Sequence, residues 1–135
     1  MQSIAYALAI GHSHTTIDGL GDGAFRKVRQ ELGITAFGAN VLVLPPNESN
    51  RPHYHELQDE LYFVHAGRAV FDFPDESLEL GPGALVHVEA ATPRQVTNPG
   101  PGDLVLLIVG AKDGYVGRDG SPASPKAFLR DYDSD

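Results

Sequence analysis

The chain has 135 residues, with 10 Lys and Arg against 18 Asp and Glu and a formal net charge of −8. No basic stripe runs through it, which excludes a nucleic-acid surface, disfavours an anionic membrane and leaves solubility as the reading of the acidity. No run of eighteen apolar residues is present and cysteine is absent, which rules out a membrane-spanning helix, disulfides and thiolate metal ligands.

One domain over residues 1–135 is the expectation for this length. The opening stretch "MQSIAYALAIGHSHTT" lacks a basic leader region and is not read as a signal peptide. With no cysteine to pair, a cytoplasmic home fits. Residues 1–34 read as an extension with one short helix, near residues 23–32, in "GAFRKVRQELGI". Phe25, Val28 and Leu32 keep helical spacing, Asp22 can cap the start and Gly33 is a natural stop. Arg26, Lys27 and Arg29 read there as a solvated face rather than a binding patch.

Residues 35–112 read as short strands. "TAFGANVLVL" alternates Phe37, Ala39, Val41, Val43 against Gly38, Asn40, Leu42, Leu44, and Pro45-Pro46 ends it. "DELYFVHA" and "RAVFDF" follow, separated by Gly67. "LELGPGALVHVEA" holds two strands around a Gly-Pro-Gly turn, and "RQVTN" is split from "DLVLLIVGA" by "PGPGD". Many short strands and one early helix predict an all-β antiparallel sandwich or barrel. Residues 113–135, with "GRDGSPASP", read as a loose tail, and its end "AFLRDYDSD" packs or frays.

The chemistry concentrates in "RPHYHELQDELYFVHAGR", residues 51–68. In a strand His53 and His55 face the same way, one residue apart. Neutral imidazole suits Zn, Fe, Ni, Cu and Mn. Glu60 supplies an anionic oxygen if "ELQD" is a hairpin connection that brings the next strand alongside. Tyr62 shares a face with Glu60 and can carry a hydroxyl into the same space. His65 alternates to the other face. The second H-x-H, His12 and His14, lies in a Gly/Thr-rich segment and reads as structural or solvent-exposed. Tyr54, Tyr62, Phe63, Phe71 and Phe73 read as core.

These residues resemble the cupin superfamily. Its first motif has the form G-x5-H-x-H-x(3,4)-E-x6-G, which His53, His55, Glu60 and Gly67 match in spacing, with Asn47 at the leading glycine. Asn tolerates φ > 0, so that turn survives. The second motif, G-x5-P-x-G-x2-H-x3-N, finds Gly83 and Asn98, but its proline, glycine and histidine fall on Glu89, Ala91 and Arg94. The resemblance implies a double-stranded β-helix (jelly-roll) barrel that forms a homodimer. It implies a divalent transition metal (Zn, Fe, Ni or Mn) on His53, His55 and Glu60, and a small polar metabolite in the barrel. A metal-dependent enzyme of dioxygenase or isomerase class is one form this takes.

Arg94 replaces the fourth ligand. Arginine is always protonated and has no acceptor. At about 5 Å and an effective dielectric near 20 it repels a cation by about 3 kcal/mol, roughly a hundredfold in affinity. Three readings follow. Arg94 swings outward and the three remaining ligands hold the metal. Or it pairs with Glu60 inside a metal-free barrel that binds a small anion through its fork. Or it is a surface residue beside a vestigial site. His87, alternating with Val86 and Val88, stands in for the missing ligand if its face is the interior, and is otherwise a hydrogen-bonded or partly exposed histidine. Gln95 is a neutral candidate that alternates away from Arg94.

Overall fold

The computed structural model describes residues 11–128. The apolar opening and the terminal "FLRDYDSD" therefore lie, in whole or in part, outside the described residues. Among the described residues ten strands occur in chain order: β1 (Phe25–Lys27), β2 (Gly38–Leu44), β3 (His53–His55), β4 (Asp59–Ala66), β5 (Ala69–Asp72), β6 (Ser77–Leu80), β7 (Leu85–Val88), β8 (Gln95–Thr97), β9 (Leu104–Ala111) and β10 (Gly120–Pro122). One sheet runs β1-β2-β9-β4-β7, a second runs β6-β5-β8, and β10 pairs with β3. All pairings are antiparallel. Reciprocal bonds join His53 to Arg94, with N–H···O distances of 3.0 and 2.8 Å, so β3 and β10 extend the second sheet. The two sheets close on each other as a jelly roll.

Period-two alternation decides what faces inward. In β9, Leu104, Leu106, Ile108 and Gly110 are buried while Val105, Leu107, Val109 and Ala111 are half-buried outside. The core gathers Leu42, Leu44, Val64, Phe71, Phe73, Val96, Leu104 and Leu106 with Tyr62. Each such aliphatic or aromatic side chain contributes about 1.5–3 kcal/mol by leaving water. Tyr62 and Phe71 meet edge-to-face at 5.3 Å between centroids. Three turn positions follow from the motif residues. Asn47 sits at φ 70°. Gly67 sits at φ +83°, where a Cβ would lie 2.3 Å from the Asp103 carbonyl oxygen. Buried Asn98 donates to the Leu44 and Gly102 carbonyls at 2.8 Å and accepts from the Gly100 N–H at 2.7 Å.

Two expectations are corrected at the barrel's margins. The helix α1 covers only Val28–Leu32, ended by Gly33 in the left-handed region, and Lys27, not Asp22, stands at its N-cap. Phe25–Lys27 pair with Leu42–Asn40 instead; an open sheet edge offers those backbone groups partners that a first helical turn leaves unsatisfied. The tail is not loose throughout, because Gly120–Pro122 pair with His55–His53. The barrel therefore reaches beyond 35–112 at both sides.

Candidate functional site

β3 carries both histidines into the barrel mouth, their rings 5.1 Å apart and nearly perpendicular. The link after β3 turns away from it rather than forming a hairpin, because the edge of β3 is taken by β10. Glu60 nonetheless arrives from β4 on the inward face. Its Oε1 lies 4.0 Å from His53 Nε2 and its Oε2 3.3 Å from His55 Nε2. One donor atom from each of the three lies within 4.8 Å of the others.

Each imidazole is held from behind. His53 Nδ1 donates to the Arg51 carbonyl at 2.9 Å, which leaves its Nε2 lone pair facing the cluster. Burial first, and the Arg94 charge with it, lowers the His53 pKa and keeps the ring neutral despite the Arg51 carbonyl. His55 Nδ1 lies 3.2 Å from the Gln58 amide nitrogen and 3.6 Å from Asp119 Oδ2. Its Nε2 is enclosed and, among the described residues, makes no hydrogen bond. Asp119 is itself fixed by the backbone N–H groups of Leu57, at 3.1 and 3.0 Å, and Gln58, at 2.9 Å.

Glu60 is ionised. Burial acts to raise its pKa, but the His55 imidazole, the Tyr62 hydroxyl and the Arg94 charge outweigh burial and hold it low. Tyr62 donates to Glu60 Oε1 at 2.6 Å. Burial, then the Glu60 charge, pushes that phenol well above its ordinary range, so it stays a donor.

Not all the sequence-predicted residues gather here. Arg94 is fully enclosed, 0% exposed, with NH2 4.0 Å from Glu60 Oε1. Its guanidinium reaches the Ala90 and Glu89 carbonyls at 3.4 and 3.3 Å, and Nε has no partner among the described residues. It neither swings outward nor lies on the surface, and it does not line the cavity, so it backs Glu60 rather than presenting a fork to a ligand. His87 is corrected too. Its face is the outer one, where Leu85 is 65% exposed, and its Nε2 pairs with Asp59 at 3.0 Å. That imidazole, and then the Ala90 N–H, lower the Asp59 pKa. Gln95 donates to the Asn50 carbonyl at 3.0 Å. His12, His14 and His65 are exposed.

The cavity above the cluster measures about 540 Å³, within the roughly 300–1,000 Å³ of small-molecule sites. Sequence reasoning missed Gln58 and Asp119, and it missed Lys27 and Arg29, which line this cavity. Only the Gly-flanked "GRDG" set Asp119 apart in the sequence, and that pattern reads first as a turn.

The residues fit a divalent ion. Two imidazoles and a carboxylate are a ligand set for Zn, Fe, Ni or Mn. Ligands about 2.1 Å from a tetrahedral ion stand roughly 3.4 Å apart, close to the observed 3.3 and 4.0 Å. The enclosed, unbonded His55 Nε2 is what such an ion would satisfy.

Fold and cluster together define a double-stranded β-helix barrel with a His/Glu group at its mouth. The family model "Cupin domain" matches residues 40–110, over half of the chain, and the chain belongs to that family. No curated protein matches the sequence. Among solved structures, a sugar phosphate isomerase of the cupin superfamily from Silicibacter pomeroyi is similar at 25% identity and TM-score 0.61, covering 65% of this chain and 58% of its own. A putative sugar phosphate isomerase from Acidithiobacillus ferrooxidans is 19% identical, with TM-score 0.63, over 73% of this chain and 63% of its own. This chain thus spans less than two thirds of both. A double-stranded β-helix protein from Klebsiella pneumoniae, 16% identical with TM-score 0.68, is covered over 96% of its length and 82% of this chain, and shows the fold.

Proposed function

We propose that this cupin holds a divalent transition metal on His53, His55 and Glu60 and presents it to a small polar metabolite in the cavity, as a metal-dependent enzyme. The observation that carries the reading is the convergence of three ligand atoms within 4.8 Å around an enclosed imidazole nitrogen with no hydrogen bond. When bound, the metal would supply Lewis-acid or oxygen chemistry, with positions left open by a three-residue ligand set. The chain's own part is to orient and to exclude water. Arg51 and the Gln58–Asp119 pair fix the two rings, Tyr62 and Arg94 keep Glu60 ionised, and the apolar barrel behind Tyr62 shuts out solvent. The sugar phosphate isomerase neighbours support an isomerase, and the two-histidine, one-carboxylate set equally supports a dioxygenase. Exposed Leu61 and Leu85 on the outer face support a homodimer, and a cytoplasmic location belongs to the same proposal.

A second reading draws on the 4.0 Å approach of Arg94 to Glu60, which balances that carboxylate without a metal and leaves a metal-free binding module for a small anion. Elemental analysis of protein purified without a histidine tag decides between them. Stoichiometric metal supports the first reading, and its absence, with no uptake on titration with Zn²⁺ or Ni²⁺, overturns it. Arg94→His removes the repelling charge and adds a ligand type, so under the first reading metal affinity rises at least about tenfold.

A further inference from the structure

We propose that the cavity is built for a small dianion, a dicarboxylate or a phosphate ester, held at its rim by Lys27, Arg51 and Arg118; only the placing of the ligand's other end toward the cluster rests on the metal-site reading.

The charge distribution carries this. The chain is strongly acidic, at −8, yet four of its ten Lys and Arg line this one cavity against two of its eighteen acids. Both acids are committed: Glu60 to Tyr62 and the histidines, Asp119 to the Leu57 and Gln58 N–H groups. Of the four cations, Arg29 is engaged, its guanidinium 3.8 Å over the Tyr115 ring and donating to the Ile34 carbonyl. Among the described residues the side chains of Lys27, Arg51 and Arg118, all exposed, have neither ion pair nor hydrogen bond. They come from three separate places: the end of β1, the approach to β3, and the segment before β10. The local chain is shaped to present them. Pairing of β1 with β2 is what turns Lys27 to the cavity. Arg118 is held at φ 54°, a left-handed conformation that glycine adopts without steric cost and arginine does not. Three like charges around one recess repel one another, and an anion between them relieves that repulsion. A divalent ion on the cluster would leave one positive charge after Glu60, adding to the same demand. Two negative charges answer it better than one, and oxygen anions match the fork of arginine and the point charge of lysine.

Calorimetric titration of the whole chain, metal-stripped and Zn²⁺-loaded, with methyl phosphate, malonate and neutral glycerol tests this. The expected result is saturable binding of methyl phosphate or malonate, not glycerol, by the metal-stripped protein, weakening as salt rises. The better probe names the anion. Lys27→Gln, Arg51→Gln and Arg118→Gly should each weaken it about tenfold. Arg118→Gly should do so with the urea midpoint unchanged or raised, which separates lost recognition from lost folding. Binding by neither form, or equal binding by wild type and all three variants, overturns the proposal. Binding by the Zn²⁺ form alone, indifferent to the variants, also overturns it while leaving the metal site standing. Variant-sensitive binding by the stripped protein supports it even where elemental analysis finds no metal.

Discussion

The two ends of the barrel are made from the same three strands, and they differ in what those strands point inward. Toward one end β2, β9 and β4 place Leu44 opposite Leu104, Leu42 opposite Leu106 and Leu106 opposite Val64, and the space is filled. Toward the other end β9 places Ile108 between Asn40 and Tyr62, and Gly110 between Gly38 and Glu60, and the space opens. The cavity thus opens where the inward positions become small or polar within a ladder that stays in register from Asp59 to Val64; the one shift between β4 and β9, at Val64 and Ala66, lies at the filled end. Gly110 also does a second job. A Cβ there would lie 2.7 Å from Gln58 Oε1, so its absence admits the amide that steadies His55. One end supplies stability and the other gives up packing to place polar groups.

That contrast can be broken from either side. At the filled end, Leu104→Ala should cost about 2–5 kcal/mol in urea unfolding, because Leu104 is fully enclosed, while metal stoichiometry stays unchanged. A variant that loses both would mean that the ends are not separable. At the open end, Glu60→Gln keeps shape and an acceptor for Tyr62 but removes the only anionic ligand. Metal affinity should fall about a hundredfold, read by competition with a chromogenic chelator. A smaller effect is expected one layer out, where Asp119→Asn should loosen His55 and lower metal affinity about tenfold. The same variant has a pH signature. Burial acts to raise the Asp119 pKa, but the Gln58 and Leu57 N–H groups and the His55 charge hold it below 3.8. Stability from that carboxylate is fully present above 3.8 and is lost as pH falls through its lower folded value. The variant should therefore show a shallower loss of stability on acidification through that window, in unfolding curves recorded from neutral pH downward.

The filled end was more legible in the sequence than the open one. Alternation alone found β2, β4 and β9, and the spacing of His53, His55, Glu60 and Gly67 pointed to a convergence that the geometry bears. Alternation separates two faces without saying which is the inner, so the sequence left His87 open between a ligand and a hydrogen-bonded, partly exposed histidine, and the structure has the second. The partners of the cluster depend on pairings distant in sequence. Lys27 reaches the cavity because a sheet edge overrides the helical pattern of its segment. Arg94 could be aligned but not placed, since its enclosure depends on the bridge to His53 and not on its own neighbours.

The bond from Leu57 to Asp119 spans 62 residues, and β10 closes over β3 after every other strand has been laid down. On a ribosome the histidines are therefore made early and secured late. A nascent chain ending near Ala111 would already contain both sheets of the barrel, yet His55 would still lack its carboxylate brace and β3 its outer neighbour. The cluster is thus completed by the last described strand to emerge, so its bracing waits until the barrel around it can already exist.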